Sequence, residues 1–115
     1  MDTNMDKKTY YVIMMNANGV VFDAGYEGRS WEPIPWDSEA KVKAGRQKDA
    51  WILEVAVPWK KLGMDKPKKG TKLGMNFCRH QPNNTNYYNE PWSQWSVTFE
   101  NSNHIPERFG QLILE

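Results

Sequence analysis

Hydrophobic and polar positions in this chain follow the short alternating pattern of β-strands rather than the longer period of helices. Residues 9–15 (TYYVIMM) are aromatic, β-branched or otherwise apolar, and the Asn18-Gly19 pair that follows is a strong hairpin signal. Residues 20–22 (VVF) supply the returning strand. The pattern therefore predicts a β-hairpin near the beginning of the domain.

A second hairpin is predicted further along the chain. Residues 39–44 (EAKVKA) alternate charged and small apolar side chains, as in a half-buried strand, and residues 45–49 turn the chain. Residues 51–57 (WILEVAV) form the best strand candidate, which ends at Pro58 because proline has no N–H to donate to a ladder. Residues 58–63 (PWKKLG) begin with proline and end with glycine, which predicts one short helical turn.

Further strands are expected in residues 72–80, 93–99 and 109–114. Residues 23–37 and 81–89 are rich in residues that break regular structure, and they predict two long loops. Loops of this kind often carry function.

The fold predicted from these elements is all-β, an antiparallel two-sheet β-sandwich of the jelly-roll or immunoglobulin-like type. Residues 9–115 form its single domain, and residues 1–8 are expected to be a disordered tail. Trp51 and Trp59 are expected to be structural, and Cys78 to be a buried strand thiol. The predicted core consists of Tyr11, Ile13, Trp51, Leu53, Val55, Phe77, Leu112 and Leu114.

Charge and composition narrow the function classes. The 15 basic residues nearly balance the 14 acidic ones, so no strong overall field favours nucleic acid or an anionic membrane. The single cysteine excludes an intrachain disulfide and a cysteine-rich zinc site. No window approaches the roughly 20 apolar residues of a membrane helix, and the start of the sequence lacks a signal peptide pattern. The six tryptophans exceed what a core of this size needs, which indicates that some of them face solvent, where such rings are common at recognition surfaces, although Trp is often a core residue as well.

Several short motifs occur in an order that resembles the family 9 carbohydrate-binding modules. After the tyrosine-rich hairpin come W-x-x-E-x-x-V-P-x-x-x-L-G in residues 51–63, N-x-x-R in 76–79, W-S in 95–96 and P-x-x-F-G in 106–110. Each motif alone is weak. Their order and spacing together make the resemblance fairly specific over about residues 10–115.

The resemblance implies an extracellular or periplasmic β-sandwich that binds sugars without cleaving them, as an accessory module or surface domain. Flat rings suit the C–H faces of a sugar, and fork-shaped polar groups suit its hydroxyl rim. The ligand expected is a neutral polysaccharide or oligosaccharide such as xylan or glucan. The candidate sugar-binding residues are the rings of Trp31, Trp36, Trp92 and Trp95 and the polar groups of Asn76, Arg79, Glu90 and Gln94.

Catalysis and cofactors are not expected. Glu54 has no convincing second carboxylate for glycoside hydrolysis, and an ion pair with Arg79 on a neighbouring strand is the better interpretation. His80 and His104 lack the companions of a metal site or a catalytic triad. The resemblance implies calcium for some family members, but no dense loop of oxygen ligands is evident here.

The resemblance also predicts a partner other than carbohydrate, because strands that family members have are missing from this chain. Family members have additional strands before the one at residues 9–15, so we expect an open sheet edge there. A homodimer, or a separate chain that completes the sheet, would cover this edge. The alternative function is a structural or protein-interaction β-sandwich without a sugar site, because exposed Trp and Tyr anchor proteins as well.

The first prediction concerns the charge of the ligand. Binding to a neutral xylan or glucan oligosaccharide should barely change with salt, because stacking contacts and a net charge of +1 leave little ionic attraction to screen. Titration calorimetry at low and high ionic strength measures this. A steep loss of affinity in salt would show that the ligand is charged.

Overall fold

The computed structural model describes residues 1–81 and 92–115. Within these ranges the protein forms eight β-strands and two single 3-10 turns, the turns at Trp59–Leu62 and Pro106–Arg108. All four ladders are antiparallel: β1–β2, β3–β4, β5–β8 and β6–β7. The predicted all-β, antiparallel class is therefore confirmed. The strands are β1 (Thr9–Met15), β2 (Val21–Glu27), β3 (Lys41–Arg46), β4 (Trp51–Ala56), β5 (Lys72–Met75), β6 (Cys78–His80), β7 (Trp92–Gln94) and β8 (Gly110–Ile113).

Both predicted hairpins are present. β1 pairs with β2 from Thr9 opposite Glu27 to Met15 opposite Val21, so the second strand is longer than residues 20–22. The turn is held by Asn16, whose side-chain oxygen accepts the N–H groups of Asn18 (2.9 Å) and Val20 (3.1 Å). Gly19 adopts φ 82°, a left-handed conformation that explains the glycine at this position. The β3–β4 hairpin pairs Lys41 with Ala56 and Arg46 with Trp51 at its two ends.

The predicted strand at residues 72–80 is divided into β5 and β6 by Asn76 and Phe77. β5 pairs with β8, whereas β6 pairs with β7. The side chain of Asn76 donates to the Ser96 carbonyl and accepts the Ser96 N–H, each at 2.9 Å. A side chain that forms both bonds takes the place of a backbone pair. The strand therefore changes partner here without leaving polar groups unpaired.

Residues 1–8 are packed on the fold and do not form the disordered tail predicted from the sequence. Asp2 is buried and exchanges two backbone hydrogen bonds with Gly74 of β5, at 2.7 and 2.8 Å. The N–H of Tyr11 in β1 donates to the carbonyl of Met1 at 2.8 Å. The first two residues thus join the β1–β2 ladder to the β5–β8 ladder, and the backbone bonds they gain explain why this segment is ordered.

The core is centred on one face of the first hairpin. Tyr10, Ala24 and Tyr26 are buried there, and the rings of Tyr10 and Tyr26 stack at 5.7 Å. His104 is also buried, and its Nδ1 lies 2.8 Å from the Tyr10 hydroxyl. Phe109 completes the cluster with its ring edge against Tyr10, the two centroids being 5.4 Å apart.

The predicted core is corrected in two respects. β1 turns Tyr10 inward, whereas Tyr11 and Ile13 are only half-buried on its opposite face. A strand that is apolar on both faces does not reveal which face is buried, because a shift of one residue exchanges them. Leu53, Leu112 and Leu114 are also half-buried. Five other residues expected to be buried are exposed instead: Trp51 (42%), Val55 (41%), Trp59 (38%), Phe77 (60%) and Cys78.

The second prediction concerns pH and His104. Burial lowers the pKa of His104 from its ordinary value of 6.5, so the unfolded chain takes up this proton more readily than the folded domain. The free energy of unfolding should therefore be highest above pH 6.5 and should fall as the pH drops below it.

Denaturant unfolding at a series of pH values measures this dependence. In His104→Gln the dependence should flatten, because glutamine is neutral throughout and can still bond the Tyr10 hydroxyl. His80→Gln is the matched control, since His80 is exposed. An equal effect of both substitutions would contradict the assignment to His104.

Candidate functional site

The β6–β7 ladder brings several of the predicted site residues together. Cys78 lies opposite Gln94, Arg79 opposite Ser93 and His80 opposite Trp92. The register continues for one further pair, because the Trp95 N–H donates to the Phe77 carbonyl at 2.8 Å. An open cavity of about 340 Å³ lies along this ladder, lined by Phe77, Cys78, Arg79, Ser93, Gln94 and Trp95.

One face of the ladder presents aromatic rings and a cation. Side chains alternate along a strand, so Phe77 and Arg79 share a face with Trp95 of the neighbouring strand. Phe77 and Trp95 are 60% and 53% exposed, and their rings meet edge to face at 5.9 Å. The guanidinium carbon of Arg79 lies 5.8 Å from the ring centroid of Trp51 in β4, a cation–π contact. This face therefore combines apolar rings with a planar hydrogen-bond donor.

Gly110 at the beginning of β8 holds the Trp95 ring in place. A Cβ atom at this glycine would lie 2.7 Å from Cζ3 and 2.9 Å from Cη2 of the indole. Only a residue without a side chain allows the ring to rest this closely on the strand. The Ser96 hydroxyl donates to the Arg108 carbonyl at 2.6 Å and anchors the backbone next to Trp95. The ring is thus exposed on one side and supported by backbone on the other.

The other face of the ladder is built from His80 and Trp92. Their rings stack with centroids 4.3 Å apart and an interplanar angle of 16°. Trp92 is 54% exposed and adds a second accessible ring. Asn76 and Gln94 lie on this side as well, but the two bonds to Ser96 already use the amide of Asn76. Asn76 therefore supports the ladder, and Gln94, whose Oε1 accepts only a long bond from Asn76 (3.5 Å), is the more available polar group.

Two of the predicted rings lie elsewhere in the fold. Trp36 stacks on Tyr11 at 4.3 Å, and its indole N–H donates to the Lys61 carbonyl at 2.9 Å, which are the contacts of a structural residue. Trp31 is 65% exposed and rests on the His104 ring at 4.2 Å. Glu90 lies outside the described residues. The structure thus places Asn76, Arg79, Trp92, Gln94 and Trp95 on or beside one ladder.

The predicted ion pair between Glu54 and Arg79 is wrong. Glu54 lies opposite Lys43 in the β3–β4 register, whereas Arg79 lies over Trp51. Residues three apart on a strand point to opposite faces, so an arginine that contacts Trp51 cannot also reach Glu54. Sequence reasoning also missed Phe77 and Gly110 as parts of the site. Phe77 could have been predicted, because it lies two residues before Arg79 and therefore shares a face of the strand with it. The sequence around Gly110, by contrast, contains no sign of the Trp95 ring that rests on this glycine.

The comparison with known families identifies the type of domain. The family described as carbohydrate family 9 binding domain-like matches residues 1–115 of the chain. This protein belongs to that family. The match includes residues 1–8, in agreement with their contacts to β1 and β5. Neither the curated proteins nor the solved structures provide a match.

Membership of this family indicates the architecture and the general function of the domain. Domains of this family are β-sandwiches that bind carbohydrate, and they are typically non-catalytic. Family 9 modules are usually extracellular. In the described part of this domain, no helix is long and apolar enough to cross a membrane.

Calcium, which the resemblance implies for some family 9 modules, has no cluster of acidic side chains to bind it among the described residues. No group of three or more His, Cys, Asp or Glu side chains is close enough within residues 1–81 and 92–115 to hold a metal ion. Asp6 accepts hydrogen bonds from Thr9, Lys8 and Asn4, which lower its pKa to about 2 and occupy both carboxylate oxygens. In Asp2, Oδ2 accepts the Lys7 N–H, and Oδ1 is buried without a described partner. A single orphaned oxygen is not the set of six to eight ligands that calcium requires.

The third prediction uses a substitution at Gly110 to displace the Trp95 ring while Trp95 itself is kept. In Gly110→Ala the new methyl group displaces the Trp95 indole from β8, so Trp95 fluorescence should shift and carbohydrate binding by the family 9 domain should weaken. Gly45→Ala is the matched control, because a Cβ atom at Gly45 meets no atom within 4 Å. Fluorescence and calorimetry on both variants check this. Unchanged fluorescence in Gly110→Ala would contradict the placement of the ring.

Proposed function

We propose that the β6–β7 ladder is the carbohydrate-binding surface of this domain and that it holds a neutral polysaccharide or oligosaccharide. The observation on which this rests is the Trp95 ring, half exposed and fixed against the Gly110 backbone. A flat indole held in advance loses little freedom on binding, which favours stacking against the C–H face of a sugar.

The polar rim of the sugar would be bound by groups beside the ring. Arg79 offers a planar guanidinium and Ser93 a hydroxyl on the face of Trp95, and Gln94 offers an amide on the face of Trp92 that can donate and accept. Each lines the same cavity as Trp95 and Phe77. Trp92 on the opposite face supplies a further stacking ring, and Glu90 stays a predicted contact. This mixture of rings and hydrogen-bonding groups matches the two surfaces of a saccharide.

We further propose that the domain binds without cleaving its ligand. Hydrolysis of a glycosidic bond requires two carboxyl groups on either side of that bond. The cavity lining among the described residues contains no Asp or Glu. A non-catalytic, extracellular accessory module that keeps an enzyme or a cell close to xylan or glucan is the function in best agreement with these residues.

The fourth prediction tests this function by separating two tryptophans. Trp95→Ala should weaken oligosaccharide binding by about 2 kcal/mol, roughly thirtyfold in Kd, because it removes the proposed stacking ring. Trp36→Ala should instead lower the free energy of unfolding by about 2–3 kcal/mol, because it removes the stack on Tyr11 and the bond to Lys61.

Calorimetry with xylan and glucan oligosaccharides measures the first effect, and denaturant unfolding the second. Trp31→Ala is the matched control for an exposed ring away from the ladder and should leave binding unchanged. A folded domain that binds none of these sugars would favour the alternative, a structural or protein-interaction domain.

A further inference from the structure

The edges of the first hairpin, expected to be open, are both in contact with other segments. On the β1 side, the Tyr11 N–H donates to the Met1 carbonyl at 2.8 Å. On the β2 side, Gly25 and Ile34 exchange two backbone hydrogen bonds, each 2.9 Å long. Short bridges of this kind interrupt the row of free N–H and C=O groups. The first hairpin is therefore a poor place for an added strand.

In the part of the chain that the structure describes, the β3–β4 hairpin has no comparable bridges. Among the described residues, no backbone hydrogen bond outside the ladder reaches Lys41–Arg46 or Trp51–Ala56. The two edges differ in charge. β3 carries Lys41, Lys43 and Arg46, and cationic side chains are a common protection against edge pairing. β4 (WILEVA) carries a single charge, Glu54, and no proline.

The backbone of β4 is oriented to accept another strand. The Gln47 N–H donates to the Ala50 carbonyl at 2.8 Å, next to the ladder pair Arg46–Trp51. Hydrogen-bonded and non-bonded pairs alternate in an antiparallel ladder, so Trp51, Leu53 and Val55 point their N–H and C=O groups away from β3. The side chains of these three residues share one face, where Trp51 and Val55 are 42% and 41% exposed.

We propose that two copies of this chain pair through β4, antiparallel, with Leu53 opposite Leu53 of the partner subunit. In this register Trp51 lies opposite Val55 of the partner subunit, and the exposed aromatic and β-branched side chains of both copies cover each other. A register centred on Glu54 would place two carboxylates face to face and would use backbone groups already bonded to β3. The strand is thus complementary to itself in one register.

Because Arg79 lies over Trp51, the pairing also brings both proposed sugar-binding surfaces close to the two-fold axis. This last consequence rests on the proposed function, but the dimer does not.

The fifth prediction is the mass in solution. Light scattering at micromolar and higher concentrations should give twice the 13.4 kDa of the chain. Leu53→Asp should return the mass to that of a monomer, because it places two carboxylates opposite each other at the axis. Ala44→Asp is the matched control: Ala44 pairs with Leu53 on the same face of the hairpin, but on the other strand, and should stay dimeric. A monomeric parent protein at all concentrations would overturn the proposal.

Cysteine cross-linking tests the register even if Leu53→Asp fails to fold. In a Cys78→Ser background, Leu53→Cys should form an intersubunit disulfide on mild oxidation, because directly opposed residues in a ladder lie about 5.5 Å apart at Cα, within disulfide range. Glu54→Cys should not form this disulfide, because the two copies of residue 54 are displaced from each other along the paired strands. Their side chains also lie on the opposite face of the strand from Trp51. Cross-linking at 54 and not at 53, or at neither, would overturn the proposed pairing.

Discussion

The hydrogen bond between the Tyr10 hydroxyl and His104, with the rings packed around it, determines where the rest of the domain lies. The cluster joins β1 and β2 to the segment before β8, because Tyr26 contacts both Tyr10 and His104 and Phe109 contacts Tyr10. Phe109 is followed directly by Gly110, the residue on which the Trp95 ring rests. The buried cluster therefore positions the exposed Trp95 ring, because Phe109 of the cluster is the residue next to Gly110 in the chain. A binding surface supported in this way is held by the core rather than by its own loop.

The core is small for the number of strands. The described buried hydrophobic residues are few, and most strands expose apolar side chains on at least one face. Hydrogen bonds between segments that are distant in sequence complement this limited burial, as at Asp2 with Gly74 and at Asn76 with Ser96. Such bonds contribute about 1 kcal/mol each and, more importantly, leave few buried backbone groups unpaired. The ladders are thus joined by specific polar bridges as well as by packing.

Two kinds of exposed aromatic surface occur in this domain. Trp95 and Phe77 lie beside a cation and amides, a mixture that suits a sugar with apolar faces and a polar rim. Along the β4 edge, Trp51 and Val55 lie beside backbone groups that bond to no other described segment, which suits another strand. Arg79 touches both surfaces through its contact with Trp51. The neighbouring polar atoms, rather than the rings themselves, distinguish the two roles.

Local sequence was enough to predict both hairpins, the approximate position of the strands and the antiparallel all-β class, because alternation and the Asn-Gly turn act over a few residues. The order of short motifs also indicated the family and predicted Arg79, Gln94 and Trp95 as sugar-binding residues, which the structure brings together on one ladder. Only the tertiary structure decided which face of β1 is buried and which tryptophan is structural, since both faces of TYYVIMM are apolar and every indole has the same chemistry. Trp36 became structural because Tyr11 and the Lys61 carbonyl lie beside it, whereas Trp95 became available because Gly110 leaves room beneath it. These contacts join residues distant in sequence, and no local pattern encodes them.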